Sequence, residues 1–352
     1  MSAFARIVGI DYSGAETPTS SLSGLRIYSS ENSASPVEIQ PPLSQKKYWT
    51  RKGIAEWLVE RLSETTPTLV GIDHGFSFPL RYFEQYALKL DWPSFLDDFH
   101  RHWPTDRDNT YVDFIREGLV GRGAARVGSA RWRRVAEERA GAAKSVFHFD
   151  VQGSVAKSTH AGIPWLRFIR QKLGDRVHFW PFDGWEIPDG RSAIAEVYPA
   201  LWSRGFEDAG RTPDQHDAFS IAAYLSRADR DGSLALLLNP DLSPTERATA
   251  RVEGWILGVT DSLESRIGRR ASRERGPAVD LPRTAKIVGS GTAKTCPECG
   301  HGFRGGTWGG IDAHWKAFHA DIMPYESAWP IIKAGGKPSA HWADQLRGAT
   351  RH

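Results

Sequence analysis

Short apolar runs separated by polar turns predict three β-strands at the start of the sequence. Runs at 6–11, 24–30 and 37–40 are followed by Ser- and Pro-rich turns. From Thr50 the spacing becomes helical, with one apolar stripe formed by Ile54, Trp57, Leu58 and Leu62. Pro67 ends this helix, and another apolar run follows it. This order predicts a mixed sheet in which the first and fourth strands are neighbours.

The string Val-Gly-Ile-Asp occurs twice, at Val8–Asp11 and at Val70–Asp73. Each copy is a β-branched run that ends in a carboxylate and is followed by turn residues. Parallel strands read as short apolar runs, and ligands bind beyond their carboxyl ends. We therefore expect Asp11 and Asp73 to meet at one sheet edge, the alternative being that each caps its own turn.

The middle of the chain predicts helices and one further strand. Residues 80–145 are rich in aromatic residues and Arg, and they are interpreted as a helical insertion between sheet elements. The run Trp165–Leu173 predicts another helix. Ala193–Val197 predicts a fifth strand that carries Glu196, and Gly254–Val259 closes the domain with a short apolar stretch.

The clearest helix start is at Thr212, which is followed by Pro213 and, at the capping-box position, by Gln215. The apolar stripe of this helix consists of Ala218, Ile221, Ala222 and Leu225. Extended backwards, the stripe reaches Asp217 and Asp214, which then lie on or beside the face that packs on the sheet. A buried charge requires compensation, and a metal ion would supply it. The alternative is the ordinary preference of acids for a first helical turn.

Five acids from three predicted strands and one helix are thus candidates for one catalytic site: Asp11, Asp73, Glu196, Asp214 and Asp217. Hard carboxylate oxygens are the ligands of Mg²⁺ or Mn²⁺. Two such ions can stabilise the attacking and leaving oxygens of a phosphodiester displacement. Neither a GxxxxGK[ST] loop nor a GxSxG elbow is present.

The strand order, the strand-end acids and the late helix acid pair resemble the ribonuclease H-like fold. The spacing of Asp214 and Asp217 is similar to that of the bacterial Holliday-junction resolvases. Residues 6–260 more closely resemble the domain-of-unknown-function 429 family of predicted ribonuclease H-like nucleases. The matching segments are 9–11, 71–73 with Pro79, 152–155, 161–164, 196–199, 214–218 and 253–258.

This resemblance implies metal-dependent phosphodiester cleavage on an α/β fold, with a mixed five-stranded sheet flanked by helices. Asp11, Asp73 and Asp217 would bind Mg²⁺ or Mn²⁺, Glu196 or Asp214 would complete the set, and water would be the nucleophile. His74 departs from the family pattern; it is interpreted as a partly exposed turn residue, with a proton shuttle as the alternative.

The only two cysteines begin a second pattern, Cys296-x2-Cys299-x14-His314-x4-His319. Two thiolates and two imidazoles at this spacing can enclose Zn²⁺ in a tetrahedral, structural site. Phe303, Ile311 and Phe318 would form a small core around it. The pattern resembles a two-Cys, two-His zinc finger with a long loop, and His301 is a rival ligand.

The formal net charge is only +3, but two segments concentrate basic residues. Five arginines lie between Arg122 and Arg134 without an acid, and seven basic residues lie between Arg266 and Lys286. Such clusters suit a nucleic-acid backbone, and a solvated surface or linker is the alternative. No run approaches the length of a membrane span, and two cysteines exclude a disulfide framework, so we expect a cytoplasmic protein.

The predicted organisation is a ribonuclease H-like domain at 1–262, a basic linker at 263–290, a zinc-finger-like module at 291–322 and a tail at 323–352. The leading hypothesis is a nuclease that acts on DNA or RNA. A non-catalytic module that binds nucleic acid, or a protein through the finger, and an actin-like ATPase are the alternatives.

Overall fold

A computed structural model describes residues 3–42, 46–141, 143–150 and 155–260. In the C-terminal part it describes 294–298, 302–303, 311, 314–315, 319 and 322–339. The chain divides into two compact units, 1–274 and 275–352. The predicted linker at 263–290 lies outside the described residues. Among the described residues, no helix is both long enough and apolar enough to cross a bilayer.

The first unit is an α/β structure built on a mixed sheet. Its strands are β1 Arg6–Asp11, β2 Arg26–Glu31, β3 Val37–Glu38, β4 Thr68–Asp73, β5 Val177–Trp180 and β6 Ser192–Glu196. Their order is β3-β2-β1-β4-β6-β5. β2 is antiparallel to β1 and β3, whereas β1, β4, β6 and β5 run parallel. The mixed sheet and the pairing of the first and fourth strands are confirmed, but the predicted count of five is wrong because β5 was missed.

Nine α-helices are described in this unit. They are α1 Arg51–Leu62, α2 Leu80–Gln85, α3 Trp92–His102, α4 Val112–Arg116, α5 Val135–Ala140, α6 Ala156–Leu173, α7 Pro213–Asp231, α8 Leu234–Leu238 and α9 Pro244–Glu253. Short 3-10 turns cover Gly123–Ala125, Gly174–Arg176, Pro199–Leu201 and Ser203–Gly205. The segment predicted to be helical at 80–145 contains α2 to α5.

The two faces of the sheet carry separate cores. Val8, Ile10, Val70, Ile72 and Ile194 pack on one face against α1, α3 and α6. Ile7, Leu69, Ala193 and Ala195 belong to the core on the other face, where α7 packs on β1 and β2. The predicted stripe of α7 is confirmed, because Ala218, Ile221, Ala222 and Leu225 are fully buried.

Helix α6 begins nine residues before the predicted start at Trp165. Pro164 lies inside this helix and lacks the N–H that would bond to the His160 carbonyl. The Thr105 hydroxyl donates to that carbonyl instead, at 2.7 Å. The Thr105 hydroxyl therefore satisfies the carbonyl that Pro164 leaves without a helix partner, and the sequence around Gly162-Ile-Pro gives no sign of this contact.

The second unit contains the pair β7 Lys294–Thr295 and β8 Gly302–Phe303, together with α10 Tyr325–Lys333. Its core contains Cys296, Ile311, Trp315, Met323, Ala328 and Ile332. The Trp315 indole donates to the Met323 carbonyl at 2.9 Å. Residues predicted to be a tail thus supply a helix to this core.

Candidate functional site

Asp11 and Asp73 are direct neighbours at the carboxyl end of the sheet. β1 and β4 pair in parallel, with Asp11 opposite Asp73. Side chains alternate along a strand, so both acids share a face with Gly9 and Gly71. A Cβ on Gly9 would lie 2.4 Å from a main-chain oxygen of α7, and one on Gly71 would lie 2.8 Å from an α7 side chain. The two glycines therefore let α7 approach the face that carries both acids.

The start of α7 brings two more acids to this edge. The Thr212 hydroxyl accepts from the Gln215 amide, and the Gln215 side chain accepts from the Thr212 amide. This capping box fixes the first turn, which carries Asp214; Asp217 begins the second turn, and both acids are partly buried. We call Asp11, Asp73, Asp214 and Asp217 the acid cluster.

Burial and mutual repulsion perturb the acid cluster. Burial raises the pKa of Asp11 well above its usual value, and the charges of Asp73, Asp214 and Asp217 raise it further. Burial and the charges of Asp217 and Glu196 likewise raise the pKa of Asp73. The pKa of Asp217 is raised by burial and by Asp214, while His216 lowers it. The four predicted acids are therefore electrostatically linked.

The acids are more widely spaced than the ligands of one compact metal site. Among the described residues, three potential ligand atoms lie within 4.8 Å of one another at Cys296, His314 and His319. No trio of described strand-end carboxylates reaches that spacing. The cluster is thus a set of neighbouring carboxylates around an edge, and hard divalent cations are the ions that such oxygens bind.

The Glu196 side chain leaves its strand on the other face of the sheet from Asp11 and Asp73, although Asp73 and Glu196 both line one cavity of about 160 Å³ at the strand ends. β6 pairs with β4 so that Glu196 is opposite Ile72, not Asp73. Its carboxylate accepts two hydrogen bonds from Arg134, at 2.6 and 2.7 Å, and one from the Phe76 amide at 3.1 Å. Glu196 is therefore engaged in a buried ion pair.

Arg134 also corrects the interpretation of the first basic segment. Its side chain is 1% exposed and donates to Glu137 at 2.9 Å as well as to Glu196. Arg126 pairs with Asp98 at 3.0 Å. Only Arg122 and Arg131 of the five arginines are exposed. Arg126 and Arg134 are therefore engaged in ion pairs within the fold and do not contribute to a free basic surface.

His74 is buried, not partly exposed as predicted. Its side chain is packed so closely against α6 that a Cβ on Gly162 would lie 2.4 Å from Nε2. Burial lowers the pKa of His74 to about 4, although a hydrogen bond to the Gly75 carbonyl opposes this shift. The imidazole is therefore neutral at pH 7, with Nδ1 as the donor.

A cleft of about 660 Å³ opens beside the acid cluster. Its lining residues include Asp11 and Asp214, the loop from Tyr12 to Thr17, and Lys157 and Ser158 of α6. We call it the strand-end cleft. Sequence reasoning missed Lys157 and Ser158 because it placed the start of α6 after them.

In the second unit, Cys296, His314 and His319 can hold a metal ion. The Cys296 Sγ atom is 3.5 Å from Nε2 of His319, and the two imidazole rings are 5.1 Å apart. Cys296 is buried, and Trp315 lies against His319. One thiolate and two imidazoles are a donor set that suits zinc. The predicted fourth ligand Cys299, its rival His301 and the core residue Phe318 lie outside the described residues.

Comparison of the chain with protein-family models, with curated proteins and with solved structures finds no match.

Proposed function

We propose that residues 3–260 form a ribonuclease H-like hydrolase that cleaves phosphodiester bonds in nucleic acid with divalent cations. The observation that carries the proposal is the in-register pairing of Asp11 with Asp73 beneath the acidic first turns of α7. The strand order β3-β2-β1-β4-β6, with β2 antiparallel to its neighbours, is the order expected for a ribonuclease H-like sheet.

The residues present fit Mg²⁺ or Mn²⁺. The acid cluster offers only carboxylate oxygens, and the raised pKa values of Asp11 and Asp73 mean that negative charge is costly there. A divalent cation relieves that type of repulsion. When bound, it would supply positive charge to an attacking water and to the leaving oxygen of the phosphodiester.

The protein's own groups have separate tasks in this proposal. Asp11, Asp73 and Asp217 hold the cations, and Asp214 completes the set from the first turn of α7. Glu196 is neutralised by Arg134 and fixes the Phe76 amide, so it supports the loop after Asp73 from the other face. This assigns Glu196 a positioning role in place of the predicted metal ligation.

The test combines metal binding with cleavage. Mn²⁺ binding to the full chain is measured by calorimetry, and cleavage is measured on single- and double-stranded DNA and RNA oligonucleotides. We expect Asp11→Asn and Asp217→Asn to lose both. Asp231→Asn, at the exposed far end of α7, is the matched control and should retain both.

Unchanged cleavage by the two cluster variants would refute the proposal. Oligonucleotide binding without cleavage under any divalent cation would instead support a non-catalytic binding module.

We also propose that Cys296, Cys299, His314 and His319 bind a structural Zn²⁺. The convergence of the three described ligands supports this proposal. Metal analysis of the purified chain should find one zinc per molecule, and Cys296→Ser should abolish it. Nucleic acid and protein both remain predictions as partners of this module.

A further inference from the structure

A buried carboxylate lies between the two cysteines of the zinc motif. Glu298 follows Cys296 by two residues and directly precedes Cys299 in the chain. Its side chain is only 7% exposed, whereas glutamate side chains are almost never fully buried unless they are paired. Burial of a charged carboxylate is costly unless hydrogen bonds or cations satisfy its oxygens. The partners of Glu298 therefore show which part of the chain completes this motif.

Ser339, 41 residues further along the chain, bonds to both carboxylate oxygens of Glu298. The Ser339 amide donates to Oε1 at 2.7 Å, and the Ser339 hydroxyl donates to Oε2 at 2.9 Å. The Nζ atom of Lys337 adds positive charge at 3.8 Å from Oε2. Hydrogen bonds to an ionised acceptor are roughly twice as strong as those between neutral groups. Residues 337–339 thus hold the side chain that lies between the two cysteines.

The chain reaches Glu298 through a defined turn at the end of α10. Gly335 has a φ of 83°, which glycine adopts without the steric cost of a Cβ. Its amide donates to the Ile332 carbonyl at 3.0 Å, and the Gly336 amide donates to the Ile331 carbonyl at 2.8 Å. Bonds of this kind end a helix and reverse the chain. The segment that follows includes the buried Pro338 and then Ser339.

Helix α10 also packs against the motif. Ala328 and Ile332 of α10 share one buried core with Cys296 and Trp315. Residues 325–339 therefore contact the start of the motif in two ways, through the core around Cys296 and through the carboxylate of Glu298.

We propose that the contact between Glu298 and Ser339 holds the segment from Cys296 to Cys299 in the geometry that retains Zn²⁺. Residues 323–339, predicted to be part of a tail, are then part of the metal-binding module and slow the release of its ion. This inference rests on the proposed zinc site. Glu298 is a positioning residue, because it acts through the cysteines beside it. Replacing residues that fix the ligands of a metal site commonly changes metal affinity by about 10–100-fold.

The experiment measures the release of zinc from the full chain into an excess of a chromogenic chelator. The variants are Glu298→Gln, Ser339→Ala and the double variant. Glu326→Gln and Ser327→Ala are the matched controls, because they change the same residue types at exposed positions in the first turn of α10.

We expect zinc release to be roughly tenfold faster from Glu298→Gln and from Ser339→Ala, since each change weakens or removes a hydrogen bond to a charged group. The double variant should release zinc no faster than the faster single variant, because both changes disrupt the same contact. The two controls should release zinc at the rate of the parent chain.

Replacement of Zn²⁺ by Co²⁺ separates a positioning role from a general loss of stability. The absorption bands of bound Co²⁺ depend on the geometry of its ligands. We expect these bands to shift in Glu298→Gln and to remain unchanged in Glu326→Gln.

Faster release of zinc with an unchanged Co²⁺ spectrum would overturn the positioning role, since the contact would then only stabilise the fold. If the parent chain holds zinc and all variants release it at the parent's rate, this inference fails while the proposed zinc site stands. If the parent chain holds no zinc, the proposed zinc site fails, and this inference fails with it.

Discussion

Arg134 and Glu196 lie 62 residues apart in the chain and form a bidentate ion pair that is almost completely buried. The same guanidinium reaches Glu137, and it donates to the Glu253 carbonyl at 3.2 Å. The Glu253 carboxylate in turn accepts from the Leu80 and Val135 amides. The pair thus joins the start of α5 and the end of α9 to the carboxyl end of β6.

Replacing Arg134 by Met should strongly destabilise the protein. The change leaves Glu196 buried without its partner, which costs about 3–5 kcal/mol for a buried pair. Urea unfolding of the full chain measures this loss. Arg167→Met is the matched control, because Arg167 pairs with Asp97 at the surface and should cost less than about 1 kcal/mol. Equal effects of the two variants would contradict the buried-pair interpretation.

Glu196→Gln tests whether Glu196 positions the loop after Asp73 or is itself a ligand of the metal ion. Both carboxylate oxygens already accept hydrogen bonds from Arg134, so we expect Mn²⁺ affinity within about twofold of the parent, a free-energy change below about 0.5 kcal/mol. Stability should fall, since a charged partner of Arg134 is removed. Calorimetry measures the Mn²⁺ affinity of Glu196→Gln and, for comparison, that of Asp11→Asn. Loss of Mn²⁺ binding equal to that of Asp11→Asn would make Glu196 a ligand.

The acid cluster predicts an unusual pH dependence of stability. The pKa values of Asp11 and Asp73 are raised in the folded state, so that state keeps protons that the unfolded chain releases above about pH 4. The metal-free protein should therefore lose stability as the pH rises from about 4 through the raised folded-state pKa values. Melting temperatures at pH 6 and pH 8, without and with Mg²⁺, test this. Mg²⁺ should stabilise more at pH 8.

Asp73→Asn is compared with the parent protein in the same measurements of melting temperature. It removes one charge from the repelling group and should stabilise the metal-free protein at pH 8 by roughly 1–2 kcal/mol, as functional sites trade stability for activity. It should also weaken the Mg²⁺ effect. A lower melting temperature for Asp73→Asn at pH 8 would show that other contacts of the Asp73 side chain outweigh the repulsion between carboxylates.

The parts of this architecture with local signals were predictable. The cap at Thr212 and the stripe from Ala218 to Leu225 depend on neighbours within one helix, and both are confirmed. The repeated Val-Gly-Ile-Asp string predicted the pairing of Asp11 and Asp73 because identical runs bury identically in adjacent parallel strands.

Other parts of the architecture have no local signal in the sequence, and these could not be predicted. β5 is four buried residues without alternation, and such a run cannot be distinguished from a buried helix segment. The ion pair of Arg134 with Glu196 joins residues whose separation in sequence carries no pattern. His74 is buried because α6 presents Gly162 to it, and the sequence around His74 gives no sign of that contact.

Gly162→Ala should therefore destabilise the protein even though Ala favours helices. The new Cβ would lie 2.4–2.7 Å from three atoms of the His74 ring, and overpacking of this kind costs typically about 1–3 kcal/mol. This exceeds the gain of about 1 kcal/mol from helix propensity when the ring cannot move. Gly205→Ala is the control, because no atom lies within 4 Å of its added Cβ. Thermal unfolding of both variants, and of Gly162→Ala with His74→Ala, decides whether the ring contact is the cause.

Removal of metal from the second unit should unfold that unit without unfolding the first. Cys296 is part of the same buried core as Ile311 and Trp315, so the ligands and the core are linked. A structural zinc ion contributes its binding free energy to folding. Removal of the ion therefore destabilises the unit that contains its ligands. Limited proteolysis with and without a zinc chelator, with fragments identified by mass spectrometry, should show new cuts confined to residues after 293. His314→Ala should give the same cuts without chelator, whereas His100→Ala, whose imidazole pairs with Asp106 in the first unit, should not. An unchanged pattern on chelation would show that this unit folds without metal.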